Sequence, residues 1–225
     1  MSHYQHLQLA TANERNALLS APIIAAALAG QVSRQNYLDF LTRAFHHVKH
    51  TVPLLMACGA RLPDHQEWLR SAVAHYIEEE IGHHEWILND IAAAGGDASA
   101  VRASRPDFDT DVMVAYAYDT VMRKNPVGIF GMVYVLEGTS VSLASQVAGV
   151  LASAIDLPAS AFSYLSSHGA LDIEHIGDFA NLVNRLESPA DRQCVEDSAK
   201  IFFRLYGNVL RSVTDSNCVA LKEAA

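Results

Sequence analysis

The sequence has little cysteine, little basic charge and no long hydrophobic run, and each shortage excludes a class of protein. Three cysteines in 225 residues, Cys58, Cys194 and Cys218, are odd in number and widely spaced. They do not form a disulfide framework, and they suit a reducing cytoplasm. Sixteen Lys and Arg face 25 Asp and Glu, for a formal net charge of −9. No basic stripe is present to neutralise phosphates, so no nucleic-acid partner is expected. The longest apolar runs, such as residues 21–28 (APIIAAAL), are too short to cross a bilayer, and no membrane association is expected. The opening Met1-Ser2-His3-Tyr4 has no basic region followed by an apolar block, so a cytoplasmic location is expected. Twelve Gly and seven Pro in a chain that is 50% hydrophobic argue for a packed core rather than disorder.

What is present is helical periodicity, with no strand-like alternation bounded by hairpin turns. One helical region is expected over about residues 4–29, with Pro22 marking a break. The next runs over about 33–61, where Ser33 can serve as N-cap and Tyr37, Leu41, Ala44, Val48 and Leu55 form an apolar stripe that Pro53 should bend. A third covers about 64–94 and ends at Gly95-Gly96. After a polar stretch over 97–106 come helices over about 109–123, 126–154, 158–186 and 188–213. The fold class is therefore all-α: a bundle of about seven helices forming one domain over residues 1–225. The helix over 126–154 is rich in Gly, Ala and Ser, which permits close helix packing or a pocket.

The chemistry is carried by carboxylates and by 11 histidines. His168, Asp172 and His175 fall within a sector of roughly 60° on one helix face, at about 100° per residue. Such a face is either solvated surface or half of a metal site. Glu80 and His83 form an E-x-x-H pair, a spacing at which two side chains of one helix converge on a metal; His84 is an alternative partner for Glu80. Glu137 is the one charged residue between Lys124 and Asp156, in a helix that is apolar or small nearly all round. Burying a lone carboxylate is costly unless it is paired or bound to a metal. On the second helical region His47 shares a face with Phe40, Ala44, Thr51 and Leu54, while His46 and His50 align with Arg43; any of the three could be a ligand. Mixed N/O ligation favours iron or manganese over cysteine-rich structural zinc, and six or seven ligands suit two ions better than one.

These motifs resemble those of the haem-oxygenase-like di-metal oxidases and oxygenases, relatives of the TenA and PqqC folds often described as iron-containing redox enzymes. In that family E-x-x-H, a lone Glu and H-x3-D-x2-H follow one another as Glu80-x2-His83, Glu137 and His168-x3-Asp172-x2-His175 do here. The resemblance spans about residues 4–213. It implies a haem-oxygenase-like bundle binding two Fe(II)/Fe(III) ions, with manganese as a substitute, through His47, Glu80, His83, Glu137, His168, Asp172 and His175. It also implies O2-dependent oxidation of a small organic substrate such as a fatty acid, amine or amino acid derivative, with Glu80, Glu137, His168 and Asp172 as the catalytic set. Several members place a Glu on the second helical region, where this chain has histidines, which leaves a one-metal arrangement open. A homodimer is a further expectation. Rival readings are a metal-independent TenA-like thiaminase, which needs an activated Cys, a PqqC-like quinone-forming oxidase, a haem protein, and a non-enzymatic helical iron-binding protein.

Overall fold

The computed structural model describes residues 1–213, without the side chains of residues 142, 145 and 168–175. Cys218 therefore lies outside the described residues. Twelve α-helices succeed one another among the described residues: α1 (His3–Ala10), α2 (Ala12–Leu19), α3 (Pro22–Leu28), α4 (Arg34–Val48), α5 (Thr51–Arg61), α6 (Glu67–Glu80), α7 (His83–Ala93), α8 (Ala98–Ala103), α9 (Phe108–Arg123), α10 (Ile129–Ala154), α11 (Ser163–Arg185) and α12 (Pro189–Arg211). Short 3₁₀ turns precede α6, α10 and α11. The all-α class stands, but the expected seven regions divide further.

Most divisions have a local cause. Pro22 sits at the first position of α3, where its missing N–H has no partner to lose. The second region breaks at Lys49 and His50, not at Pro53. Pro53 instead occupies the first turn of α5, whose N–H groups have no intrahelical acceptor anyway. The third region breaks at Ile81-Gly82, where Gly82 adopts φ +94° and Ile81 an extended conformation. That turn leaves the Ile81 side chain 62% exposed. Side-chain caps fix several starts: Ser33 Oγ accepts from Asn36 N at 3.1 Å while Asn36 Oδ1 accepts from Ser33 N at 3.2 Å. Asp107 and Ser188 cap α9 and α12 by accepting backbone N–H bonds, without the reciprocal bond.

The expected stripe of Tyr37, Leu41, Ala44, Val48 and Leu55 is buried throughout. Two apolar clusters form, one including Phe130, Phe179 and Phe202, the other including Tyr37, Ile87 and Phe162. Each fully buried Leu or Phe contributes roughly 1.5–3 kcal/mol relative to exposure. Residues of α10 belong to both clusters, and residues 129–135 are buried without interruption. Gly131 is where α10 meets α12: a Cβ there would lie 2.6 Å from the Ala199 nitrogen. Among the described residues no single helix is long and apolar enough to cross a membrane. Only the bent pair Pro126–Val141 and Gln146–Ala154, at 51° to each other, passes that test of length and composition.

Candidate functional site

Beside α10 lies a cavity of about 160 Å³, walled by α3, α4, α5, α6, α10, α11 and α12. Most of its wall is aliphatic or aromatic. Among the described residues, the ionisable side chains that line it are His47, Glu80, Glu137 and the tyrosines Tyr37, Tyr76, Tyr164 and Tyr206. The small residues of α10 thus serve both purposes open to them: Gly131 allows close packing, while Thr139, Ser140 and Ala144 leave room for the cavity.

His47 is buried on α4, and its Nδ1 lies 3.0 Å from the Arg43 carbonyl oxygen. A carbonyl only accepts, so Nδ1 carries the proton and Nε2 keeps its lone pair. Burial pulls the imidazole down to about pKa 4, opposed by the Arg43 hydrogen bond, so the ring is neutral near pH 7. Tyr206 packs edge-on against it at 5.8 Å between ring centroids, and burial holds the Tyr206 phenol up at about 12. Its neighbours do not line the cavity. His46 Nε2 meets Ser104 Oγ at 2.8 Å, and His50 Nδ1 meets Tyr118 Oη at 3.1 Å, both towards α8 and α9.

Glu80 and His83 come together, but not as the sequence suggested. They do not share a helix face: Glu80 ends α6, His83 begins α7, and the left-handed Gly82 turns the chain between them. Across that corner Glu80 Oε2 lies 3.2 Å from His83 Nδ1, with both side chains nearly buried. His83 lies against Trp86, with ring centroids 4.1 Å apart and planes tilted by 34°, and stands behind Glu80 rather than in the cavity wall. His84, the alternative partner, pairs with Glu85 instead, at 3.2 Å. Glu137 enters from the middle of α10, only 8% exposed.

Tyr76, one helical turn before Glu80, is the residue that sequence reasoning missed. Burial above all, and then the nearby carboxylates of Glu137, Glu79, Asp178 and Glu80, hold its phenol firmly protonated. Glu80 and Glu137 therefore both act on the same hydroxyl, although they stand on different helices. The i, i+4 spacing of Tyr76 and Glu80 was the available signal.

His168, Asp172 and His175 fall on α11, and their side chains lie outside the described residues. Among the described residues no group of three or more His, Cys, Asp or Glu side chains comes together to hold a metal ion. The donors in and behind the cavity wall are nevertheless carboxylates and imidazoles, the oxygen and nitrogen set that suits iron or manganese. Neither described cysteine joins them: Cys58 is fully buried with its thiol pushed up to about 12, and its sulfur faces the Pro126 carbonyl oxygen. The half-buried Cys194 thiol is likewise raised by burial and faces the Asn125 carbonyl oxygen.

Comparison with known proteins places the fold. A family model described as iron-containing redox enzyme matches residues 38–207. A domain of unknown function with a heme oxygenase-like fold from Shewanella denitrificans OS217 superposes with a TM-score of 0.83 at 24% identity, covering 93% of this chain and 91% of that one. Heme oxygenase from Leptospira interrogans gives 0.77 at 15% identity, covering 94% and 100%. A TenA homologue from Pseudomonas syringae pv. tomato DC3000 gives 0.76 at 14% identity, covering 94% and 92%. At these identities the likeness is one of fold: a haem-oxygenase-like bundle of the TenA type. The search of curated proteins gives no significant match.

Proposed function

The chain belongs to the iron-containing redox enzyme family, and from that premise we propose that it is a non-haem iron oxidase or oxygenase that uses O2 to oxidise a small organic substrate. The observation that carries this reading is that Glu80, Glu137 and His47, standing on three different helices, all line one largely apolar cavity. They are oxygen and nitrogen donors of the kind that iron takes, and a cation bound to such groups offsets part of the cost of removing them from water. The residues that would hold the metal are His47, Glu80, His83 and Glu137, joined by His168, Asp172 and His175 of α11. Their number suits two ions per chain, with manganese as an alternative metal. Iron bound there supplies the electrons that O2 chemistry requires.

The chain's own groups have definable tasks in this reading. The Arg43 carbonyl fixes the His47 tautomer and turns Nε2, the free donor atom, away from the helix backbone. His83 orients Glu80 across the α6–α7 corner. Tyr76 keeps its proton on Oη and can donate it in a hydrogen bond to a neighbouring carboxylate. The apolar wall, including Ile24, Leu136, Leu143 and Leu165, excludes water and favours a substrate with an apolar body. A thiol-dependent hydrolase of the TenA type is disfavoured, because neither described cysteine lines the cavity.

The test is to load the purified protein with Fe(II) without oxygen, then admit O2 and follow the visible spectrum. An O2-dependent charge-transfer band is expected, and His168→Ala and Asp172→Ala should abolish it together with part of the iron. An unchanged band in both folded variants contradicts the proposal. A Soret band after haem addition indicates a haem protein instead.

A further inference from the structure

Asp90, on α7, is fully buried and does not line the cavity. Its carboxylate spans to the first residues of α11: Oδ1 accepts from Ser163 Oγ at 2.5 Å and Oδ2 accepts from the Tyr164 backbone N–H at 2.8 Å. The residue preceding α11, Phe162, supplies no side-chain cap of its own. The first N–H groups of a helix need an acceptor, and a negative charge there also opposes the helix dipole. Here the cap comes from a different helix. Burial raises the Asp90 carboxyl, while the bonds from Ser163 and Tyr164 draw it back down. A second tie lies beside it: Tyr37 Oη donates to the Ala161 carbonyl oxygen at 2.7 Å, immediately before α11.

The two helices joined by this cap carry different parts of the proposed centre. His83 opens α7 two turns before Asp90, and His168, Asp172 and His175 follow Ser163 along α11. We propose that Asp90 is a positioning residue that sets where α11 begins against α7, and so aligns the helix bearing His168, Asp172 and His175 with the helix bearing His83. The inference rests on the iron reading for its consequence, but the cap itself does not. A purely structural carboxylate would alter stability alone; a positioning residue also alters how many ions are held by a chain that remains folded.

The experiment compares Asp90→Ala, Asp90→Asn and the parent chain by amide hydrogen exchange and by counting bound Fe(II) under anaerobic conditions. In Asp90→Ala, exchange in the first turn of α11 should rise about tenfold while α12 is unchanged, the loss expected of a missing cap. Iron should fall from about two per chain to about one, as expected if α11 loses its share. Asp90→Asn keeps an acceptor for the Tyr164 N–H and should restore most of both. Ser163→Ala removes one bond without touching α7; it should show the same pattern more weakly and serves if Asp90→Ala does not fold. Unchanged exchange in α11, or a full iron count in folded Asp90→Ala, overturns the proposal. A parent chain that binds no iron, with faster exchange in Asp90→Ala, overturns the iron reading and its consequence while leaving the cap.

Discussion

Glu80 and Glu137 reach one cavity from opposite kinds of backbone. Glu137 stands inside the 26-residue α10, ahead of its bend, and the turns before it are buried and packed on α12. Glu80 stands at a helix end, beside a left-handed glycine and an exposed isoleucine. The first carboxylate is fixed by core packing, which deforms little. The second is held by a corner and by its contact with His83. In the proposed centre one carboxylate is set by core packing and the other by a chain corner, so the two regions should respond differently to perturbation.

The largest effect concerns His47, a third wall that carries no charge at neutral pH. Its folded pKa of about 4 lies below the ordinary 6.5, so between those values the unfolded chain binds more protons. Its contribution is complete above about pH 6.5 and is lost as pH falls towards 4, for about 3 kcal/mol in all. Denaturant titrations of the metal-free protein across that window should show the decline, and His47→Leu should flatten it. An equal slope in the variant removes His47 from the account.

Glycine substitutions then separate the two carboxylate supports. Gly131→Ala forces a Cβ against the Ala199 and Ser198 backbone and should cost roughly 1–3 kcal/mol. Thermal unfolding should register it as a fall of about 2–4 °C per kcal/mol. Gly82→Ala meets no neighbouring atom within 4 Å, so its cost is the left-handed backbone alone, about 1 kcal/mol. Its main consequence should be a weaker Glu80–His83 contact, seen as a shifted His83 imidazole resonance. A larger destabilisation in Gly82→Ala than in Gly131→Ala would reverse the contrast.

The sequence made some of this legible and hid the rest for physical reasons. Ser33 announced the start of α4, and the apolar surroundings of Glu137 announced its burial, because both signals are local. The corner at Gly82 was not recognised, since a lone glycine inside a helical pattern is tolerated and its left-handed conformation depends on how α6 and α7 pack. The choice among His46, His47 and His50 needed tertiary structure: three histidines within five residues face Ser104, the cavity and Tyr118 respectively. Tyr76 escaped notice because a tyrosine in a helix reads as core until the carboxylates around it are seen.

The central claim, that Glu137 and Glu80 hold iron in one cavity, is tested most directly by counting Fe(II) bound anaerobically by the parent chain and by Glu137→Gln. The substitution preserves shape and removes the charge, so the fold should persist by circular dichroism. The account predicts about two irons per parent chain and an affinity weakened by more than about 100-fold in the variant. Iron bound equally well by Glu137→Gln would contradict it.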